Sequence, residues 1–220
     1  PKEAKKMGKR GRELILNELS WNKIAKQYLS VIKGDVEQNL SKTLDWLEEA
    51  QRVTGDGGVS AYHMIIRGWA PSFIETTGYI ISTFLDAAKH KNNKIYLRLA
   101  IKMGDFIISN QLGSGGYRTY TKGHVELSEP TIFNTAQDII GLVDLYLATK
   151  DKKYLNSAQL AGDFLVSSQN QDGSWTQFTH NSVPKTYHSR VAYALLKLYE
   201  INRKVILKKA AIKQLDWVLS

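Results

Sequence analysis

The sequence contains no cysteine, which excludes disulfides and thiolate–zinc centres and makes a reducing compartment natural. It also lacks a long hydrophobic run. The longest apolar stretches, such as GYIISTFL at 78–85, are far too short to cross a bilayer. The opening PKEAKKMGKRGR has neither an apolar core nor an initiator Met, so it reads as a cut from a longer polypeptide rather than a signal peptide. Strand signals are nearly absent. No recognisable nucleic-acid motif accompanies the positive net charge, which argues against a nucleic-acid role, and no residue grouping implies a metal or a cofactor.

What remains is a basic, aromatic-rich chain of 220 residues, 43% hydrophobic, with eleven Tyr and five Trp. That is enough for one substantial core or for one domain plus an appendage. Tyr and Trp carry a polar tip on an apolar body, which suits the lining of a cleft. The net charge of +9 concentrates near the ends, at Lys2, Lys5, Lys6, Lys9, Arg10 and Arg12 and again at Arg203, Lys204, Lys208, Lys209 and Lys213. Such runs are solvated helix faces, or they attract an anionic membrane surface or an acidic polymer.

Sliding the chain on itself by 58 residues superimposes Tyr96 on Tyr154, Gly104-Asp105-Phe106 on Gly162-Asp163-Phe164, Gln111 on Gln169, Gly115 on Gly173 and Thr77 on Thr135. A further shift of 53 carries Asp163-Phe164 onto Asp216-Trp217 and Tyr146 onto Tyr199. A period in the fifties is a repeat architecture in which each unit buries a face against its neighbours. Within a unit, 131–150 and 152–169 each carry an apolar stripe of helical period. The fold class is therefore all-α, built of helical hairpins. The expected elements are an outer helix at 38–52 and hairpins at 73–111, 131–169 and 185–219. The inner layer falls on 73–90, 131–150 and 185–201, the outer layer on 93–111, 152–169 and 204–219. Each unit ends in a Gly turn followed by an aromatic, Tyr117 or Trp175, placed to pack between hairpins or to face a ligand.

A helical hairpin repeat closing on QNQDGSW (169–175) resembles the (α/α) toroid folds: six-hairpin glycosidases, the N-acylglucosamine 2-epimerase group, glucuronyl epimerase C-terminal domains and terpenoid cyclases. The segment GDGGVSAYHMIIRGWAPSFIETTGYIISTFLDAA (55–88) looks like a form found in toroids of polysaccharide-biosynthesis loci. Terpenoid cyclases fit poorly, since no two Asp are adjacent or separated by one residue. Zinc-dependent lanthionine cyclases fit poorly for want of cysteine. Closed toroids of this group usually have six hairpins, so the three and a half read here imply a partial toroid. Its open ends are expected to be covered by further chain or by self-association.

Residues 1–33 carry a separate resemblance. Gly8, Gly11-Arg12, Leu19-Ser20-Trp21, Ile24-Ala25 and Tyr28-Leu29 match the end of the second domain of family-4-type glycosyltransferases. The implied domains are 1–37, a transferase tail without transferase chemistry, and 38–220, the partial toroid. The resemblance implies a cytoplasmic protein, with peripheral contact to the inner membrane surface through its basic ends.

In a toroid the N-terminal ends of the inner helices open to the cavity. Here they carry Glu75, Tyr79, Asn134, Asp138, Tyr187, His188 and Arg190. Polar residues that differ at repeat-equivalent positions suit a binding pocket, and helix N-termini favour anionic groups such as uronate. Glu75, Tyr187 and His188 are the candidate catalytic groups. Arg190, Asn134, Asp138, Tyr79, Trp175, and His63 with Trp69 are the candidate ligand contacts. Glu75 with Asp138 would serve a glycosidase. Tyr187, His188 and Arg190 would serve a lyase or epimerase, which needs a base and a positive group for the carbanion. The sequence thus points to a carbohydrate-active domain acting on an acidic oligo- or polysaccharide. A non-catalytic glycan-binding or scaffolding domain is the alternative.

Overall fold

The computed structural model describes residues 2–17, 20–118 and 129–220; Leu19 of the N-terminal motif lies outside them. Two compact units are present, residues 1–46 and 47–220. The first holds helices α1 (Lys2–Asn17) and α2 (Trp21–Lys33). Ser20 starts α2 through its backbone, whose carbonyl accepts the Lys23 and Ile24 amides at 2.9 Å, while its side chain makes no capping bond. Trp21 and Tyr28 of the quoted motif are exposed.

The second unit begins within α3 (Val36–Arg52) and contains three hairpins. These are α4 (Ile74–His90) with α5 (Lys94–Ser109), α6 (Ile132–Thr149) with α7 (Lys152–Ser167), and α8 (Ser189–Asn202) with α9 (Val205–Leu219). Helices α4, α6 and α8 pack side by side as an inner layer with α6 in the middle, while α5, α7 and α9 touch one another only lightly. The all-α hairpin arc expected from the repeat is the architecture found. Lys208 and Lys209 are exposed, whereas Asn134 and His188 are buried. The largest difference in a boundary is at the third inner helix, which begins at Ser189 rather than 185, because 186–188 form a 3-10 turn first.

Helix α6 is buried nearly all round, with Ala136, Ile139, Leu142, Val143 and Leu145 fully buried and Asn134, Thr135, Gln137 and Asp138 buried in its first turns, as a helix flanked on several sides must be. Its close approach to α4 depends on two glycines. A Cβ on Gly141 would strike the Gly78 carbonyl, and one on Gly78 would lie 2.6 Å from an Asp138 carboxylate oxygen.

The Gln–Gly signature at the end of each unit is a stitch. The side-chain amide of Gln51 donates to the carbonyls of Gly57 (2.8 Å) and Leu99 (3.0 Å). Gln111 does the same to Gly115 (2.8 Å) and Ser157 (2.9 Å), and Gln169 to Gly173 (2.8 Å) and Ala210 (2.9 Å). Each glutamine thus closes its own Gly turn and ties it to the next outer helix. The turn glycines have φ of 96°, 91° and 95°, a region that side chains rarely occupy. The aromatic that follows is core. Trp175 is fully buried and its ring N–H donates to the Leu165 carbonyl at 2.9 Å; its counterpart Tyr117 is equally buried and bonds Ser157. The expectation that Trp175 contacts a ligand is therefore corrected: the indole is consumed by packing between hairpins.

Each inner helix is followed by a residue of positive φ: Asn92 (47°), Lys150 (61°) and Arg203 (57°). A side chain in that region costs about 1 kcal/mol that glycine does not incur. Lys150→Gly is expected to raise the unfolding free energy by about that much, read from the urea midpoint. An unchanged or lower midpoint would mean that the loose contact of Lys150 over Tyr146 (5.9 Å) matters more than the backbone.

Candidate functional site

The N-terminal ends of α4, α6 and α8 open onto one cleft of about 540 Å³. Phe73 and Glu75 enter it from α4, and Thr131, Phe133 and Asn134 from α6. The segment before α8 supplies Phe178, His180, Asn181, Tyr187 and His188. The fold thereby brings Glu75, Asn134, Tyr187 and His188 together, although more than a hundred residues separate the first from the last two.

Glu75 is half-buried, and burial raises its carboxyl above the usual range, with Tyr79 and Arg190 partly offsetting the rise. The Tyr79 hydroxyl donates to Glu75 Oε1 at 3.2 Å. Burial and the Glu75 charge push that phenol up to about 12, so it stays a donor. The Arg190 guanidinium lies 4.9 Å from the centre of the Tyr79 ring, and its Nε donates to Gln137 Oε1 at 2.6 Å. Glu75, Tyr79, Gln137 and Arg190 are thus one network across three inner helices, with Arg190 held by stacking and by one hydrogen bond.

Asp138 and His188 are buried. Asp138 has no exposed surface and neither carboxyl oxygen has a hydrogen-bond partner among the described residues. Burial, aided by the Glu75 charge, pushes it well above the carboxylate range, toward the neutral acid. His188 is 1% exposed. Burial, with Lys185 adding to it, lowers its imidazole to about 4, so the ring is neutral at physiological pH. The rings of Tyr187 (5.0 Å) and Trp175 (6.0 Å) meet it edge-on, while its Nδ1 has no hydrogen-bond partner among the described residues. In the first two units the equivalent position is a threonine whose hydroxyl accepts a backbone amide: Thr77 from Val59 and Thr135 from Tyr117, both at 2.9 Å. The third unit replaces that structural hydroxyl with an imidazole beside the cleft. A repeat that departs from its own pattern at one buried polar position is a mark of a site.

Of the other residues singled out in the sequence, Asn134 lines the cleft, is nearly buried, and its amide nitrogen has no partner among the described residues. Tyr187 is about half exposed and its ring packs edge-on against Phe133 at 5.1 Å. His63 and Trp69 face each other at 4.7 Å across a short antiparallel ribbon, β1 (His63–Met64) and β2 (Gly68–Trp69), and are not among the residues lining the cleft.

The sequence reading missed the aromatic wall of Phe73, Phe133 and Phe178, and it assigned no role to His180. It also missed backbone strain. Phe178 (φ 59°), Asn181 (60°) and Ser182 (52°) are all left-handed within five residues, and a bulky aromatic there is an outlier that clusters at functional sites. The Phe178 carbonyl accepts the Ile132 amide at 3.0 Å, fixing this loop to the start of α6. The only signal was the polar FTHNS string, which announces a turn but not its geometry.

Among the described residues no cluster of three or more His, Asp or Glu could hold a metal ion, and no helix is long and apolar enough to cross a membrane. The cleft offers two accessible carboxylates, Glu75 and Glu129, a half-exposed phenol and a neutral imidazole between aromatic walls, with the Arg190 guanidinium near Glu75 but not among the lining residues. That set can remove a proton next to a carboxylate and stabilise the resulting charge.

Comparison with known proteins agrees with the architecture. Residues 120–216 match the family model described as pectic acid lyase, somewhat under half of the chain. The fold is similar to the crystal structure of an unsaturated glucuronyl hydrolase from Bacillus sp. GL1, described as responsible for glycosaminoglycan degradation, which is an α/α toroid. The TM-score is 0.67 at 13% identity, over 86% of this chain and 58% of the hydrolase. The chain thus spans less than two thirds of that enzyme's length. No curated protein matches.

Proposed function

We propose that this chain is a carbohydrate-active toroid domain whose cleft binds a uronate-containing polysaccharide and breaks it by β-elimination. The observation that carries the reading is the Glu75–Tyr79–Arg190 network, in which Glu75 lines the cleft and a cation is held close to it. In the step proposed, the Glu75 carboxylate takes the proton from C5 of the uronate. The electron pair left behind forms the C4=C5 bond as the C4–O4 bond breaks, and O4 leaves with a proton from the Tyr187 hydroxyl, which solvent restores. Arg190 neutralises the uronate carboxylate, making the C5 proton more acidic. The raised Glu75 carboxyl is a stronger base than an exposed one.

Hydrolysis would need two carboxylates against the scissile bond. Asp138 has no exposed surface, and Glu129 is the second carboxylate lining the cleft; elimination is favoured by the cation near Glu75, not by the want of a second carboxylate. Both comparison proteins act, by their names, on uronate-bearing material, which supports the substrate class. The N-terminal resemblance supports linkage to a glycosyltransferase, and hence action in the cytoplasm on a cell-surface polysaccharide or its precursor.

Incubating the protein with polygalacturonate or a glycosaminoglycan and following ultraviolet absorbance of the unsaturated uronate tests the reaction. Glu75→Gln is expected to lower the rate about 10²- to 10⁴-fold with the fold intact. New reducing ends without absorbance would instead indicate hydrolysis. Saturable binding with no product would indicate a glycan-binding domain.

A further inference from the structure

The end of the arc opposite the cleft has a character of its own. Because α4, α6 and α8 all point their N-termini into the cleft, their C-termini and the turns to the outer helices lie together at the other end. Those turns, at 89–94, 150–153 and 203–209, hold three, three and four Lys or Arg and a single acidic residue, Asp151. The repeat places the charge there three times over. Some of it is paired: Lys89 with Asp86 (3.9 Å), Lys153 with Asp105 (2.7 Å) and Lys204 with Asp163 (3.3 Å). Lys94, Lys150, Lys152, Arg203 and Lys208 are exposed and form no ion pair with a described residue. Beside them Val205 and Ile206, at the start of α9, are 57% and 51% exposed.

We propose that this basic end docks on an anionic lipid surface, with Val205 and Ile206 entering the headgroup layer. Two observations favour lipid over an acidic glycan. The tyrosines of this end are already engaged: Lys150 lies over Tyr146, Lys153 over Tyr154, Arg203 and Lys208 over Tyr199, and Tyr96 packs against the Phe84 ring. Those rings are therefore not free to stack on sugars. In addition, exposed branched aliphatics beside lysines gain from an acyl boundary and gain nothing from a hydrated polysaccharide. The inner helices, 14 to 18 residues long, would hold the cleft about 25 Å above the surface, at 1.5 Å per residue. The mouth would then face away from the membrane. This inference does not depend on the reaction proposed for the cleft.

Sedimentation of the protein with phosphatidylcholine vesicles, with and without phosphatidylglycerol, tests it. Binding is expected only with phosphatidylglycerol and is expected to weaken as salt rises. Each neutralised lysine should lower affinity about fivefold. The double variant Lys152→Glu/Lys208→Glu and, separately, Val205→Asp/Ile206→Asp should lose most binding while Glu75→Gln keeps it. All are surface changes, and unchanged circular dichroism will verify folding. Three results would overturn the proposal. One is no preference for anionic vesicles. Another is binding that survives both double variants, which would assign it to the N-terminal basic run. The last is competition by polygalacturonate lost with Lys152 and Lys208, which would make this end a glycan surface.

Discussion

Gly173→Ala is expected to lower the unfolding free energy by about 2–5 kcal/mol, combining a left-handed backbone penalty with overpacking. The residue sits at φ 95°, and an added Cβ would be driven into the Lys213 carbonyl and lie 2.9 Å from the Lys213 side chain. The obstacle is helix backbone of α9, which cannot swing aside as a flexible side chain can. Moving the turn outward would also release the Gln169 amide from Gly173 and from Ala210. Gly113 is the matched control, since it has no positive φ and an added Cβ would meet nothing within 4 Å, so Gly113→Ala should leave the urea midpoint unchanged. Equal midpoints for the two variants would show that the Gly turns do not clamp one hairpin to the next.

Acidification should expose His188. Its folded imidazole is lowered to about 4 against an unfolded value of about 6.5. Between those two values the unfolded chain binds the proton and the folded one does not. Stability is therefore full above pH 6.5 and falls as pH drops toward 4, by roughly 3 kcal/mol at 1.36 kcal/mol per pH unit. Asp138 and Glu75 act in the opposite sense. Their folded carboxyls are raised, so the folded state holds their protons more tightly, and they favour it as pH falls. Melting temperature followed from pH 7 to pH 4 should accordingly fall more steeply in Asp138→Asn than in the wild type, and less steeply in His188→Gln. A profile unchanged in both variants would mean that water reaches these groups on opening at little cost.

These two effects show what kind of information the chain wears openly. The hairpin layout was legible because Gln111 and Gln169, Gly115 and Gly173, and Thr77 and Thr135 recur at a fixed shift. The recurrence exists because the Gln–Gly pair makes the same bonds in each unit and the threonine does so in the first two. The gathering of Glu75 with Tyr187 and His188 followed from topology alone, since parallel inner helices must present the same ends to one rim. Other features depended on distance in sequence. The second partner of each stitching glutamine lies 41 to 48 residues away, so the recurrence showed the repeat but not the bond it makes. Sequence left Trp175 between packing and facing a ligand, and the bond from its ring N–H to the Leu165 carbonyl decides for packing. The depth of Asp138 depends on Gly78 having no side chain, a property of another helix. The left-handed backbone of Phe178 has no compositional signal, because nothing in an aromatic residue announces positive φ.

Amide hydrogen exchange with and without an oligosaccharide of galacturonate tests the central claim most directly. The account predicts new protection at 73–79, 131–138 and 178–190, where the inner helices open to the cleft, and none on α5, α7 or α9. Glu75→Gln should preserve this pattern while Arg190→Ala weakens it. Protection confined to the outer helices or to the turns at 89–94, 150–153 and 203–209, or no protection at any concentration of ligand, would contradict it.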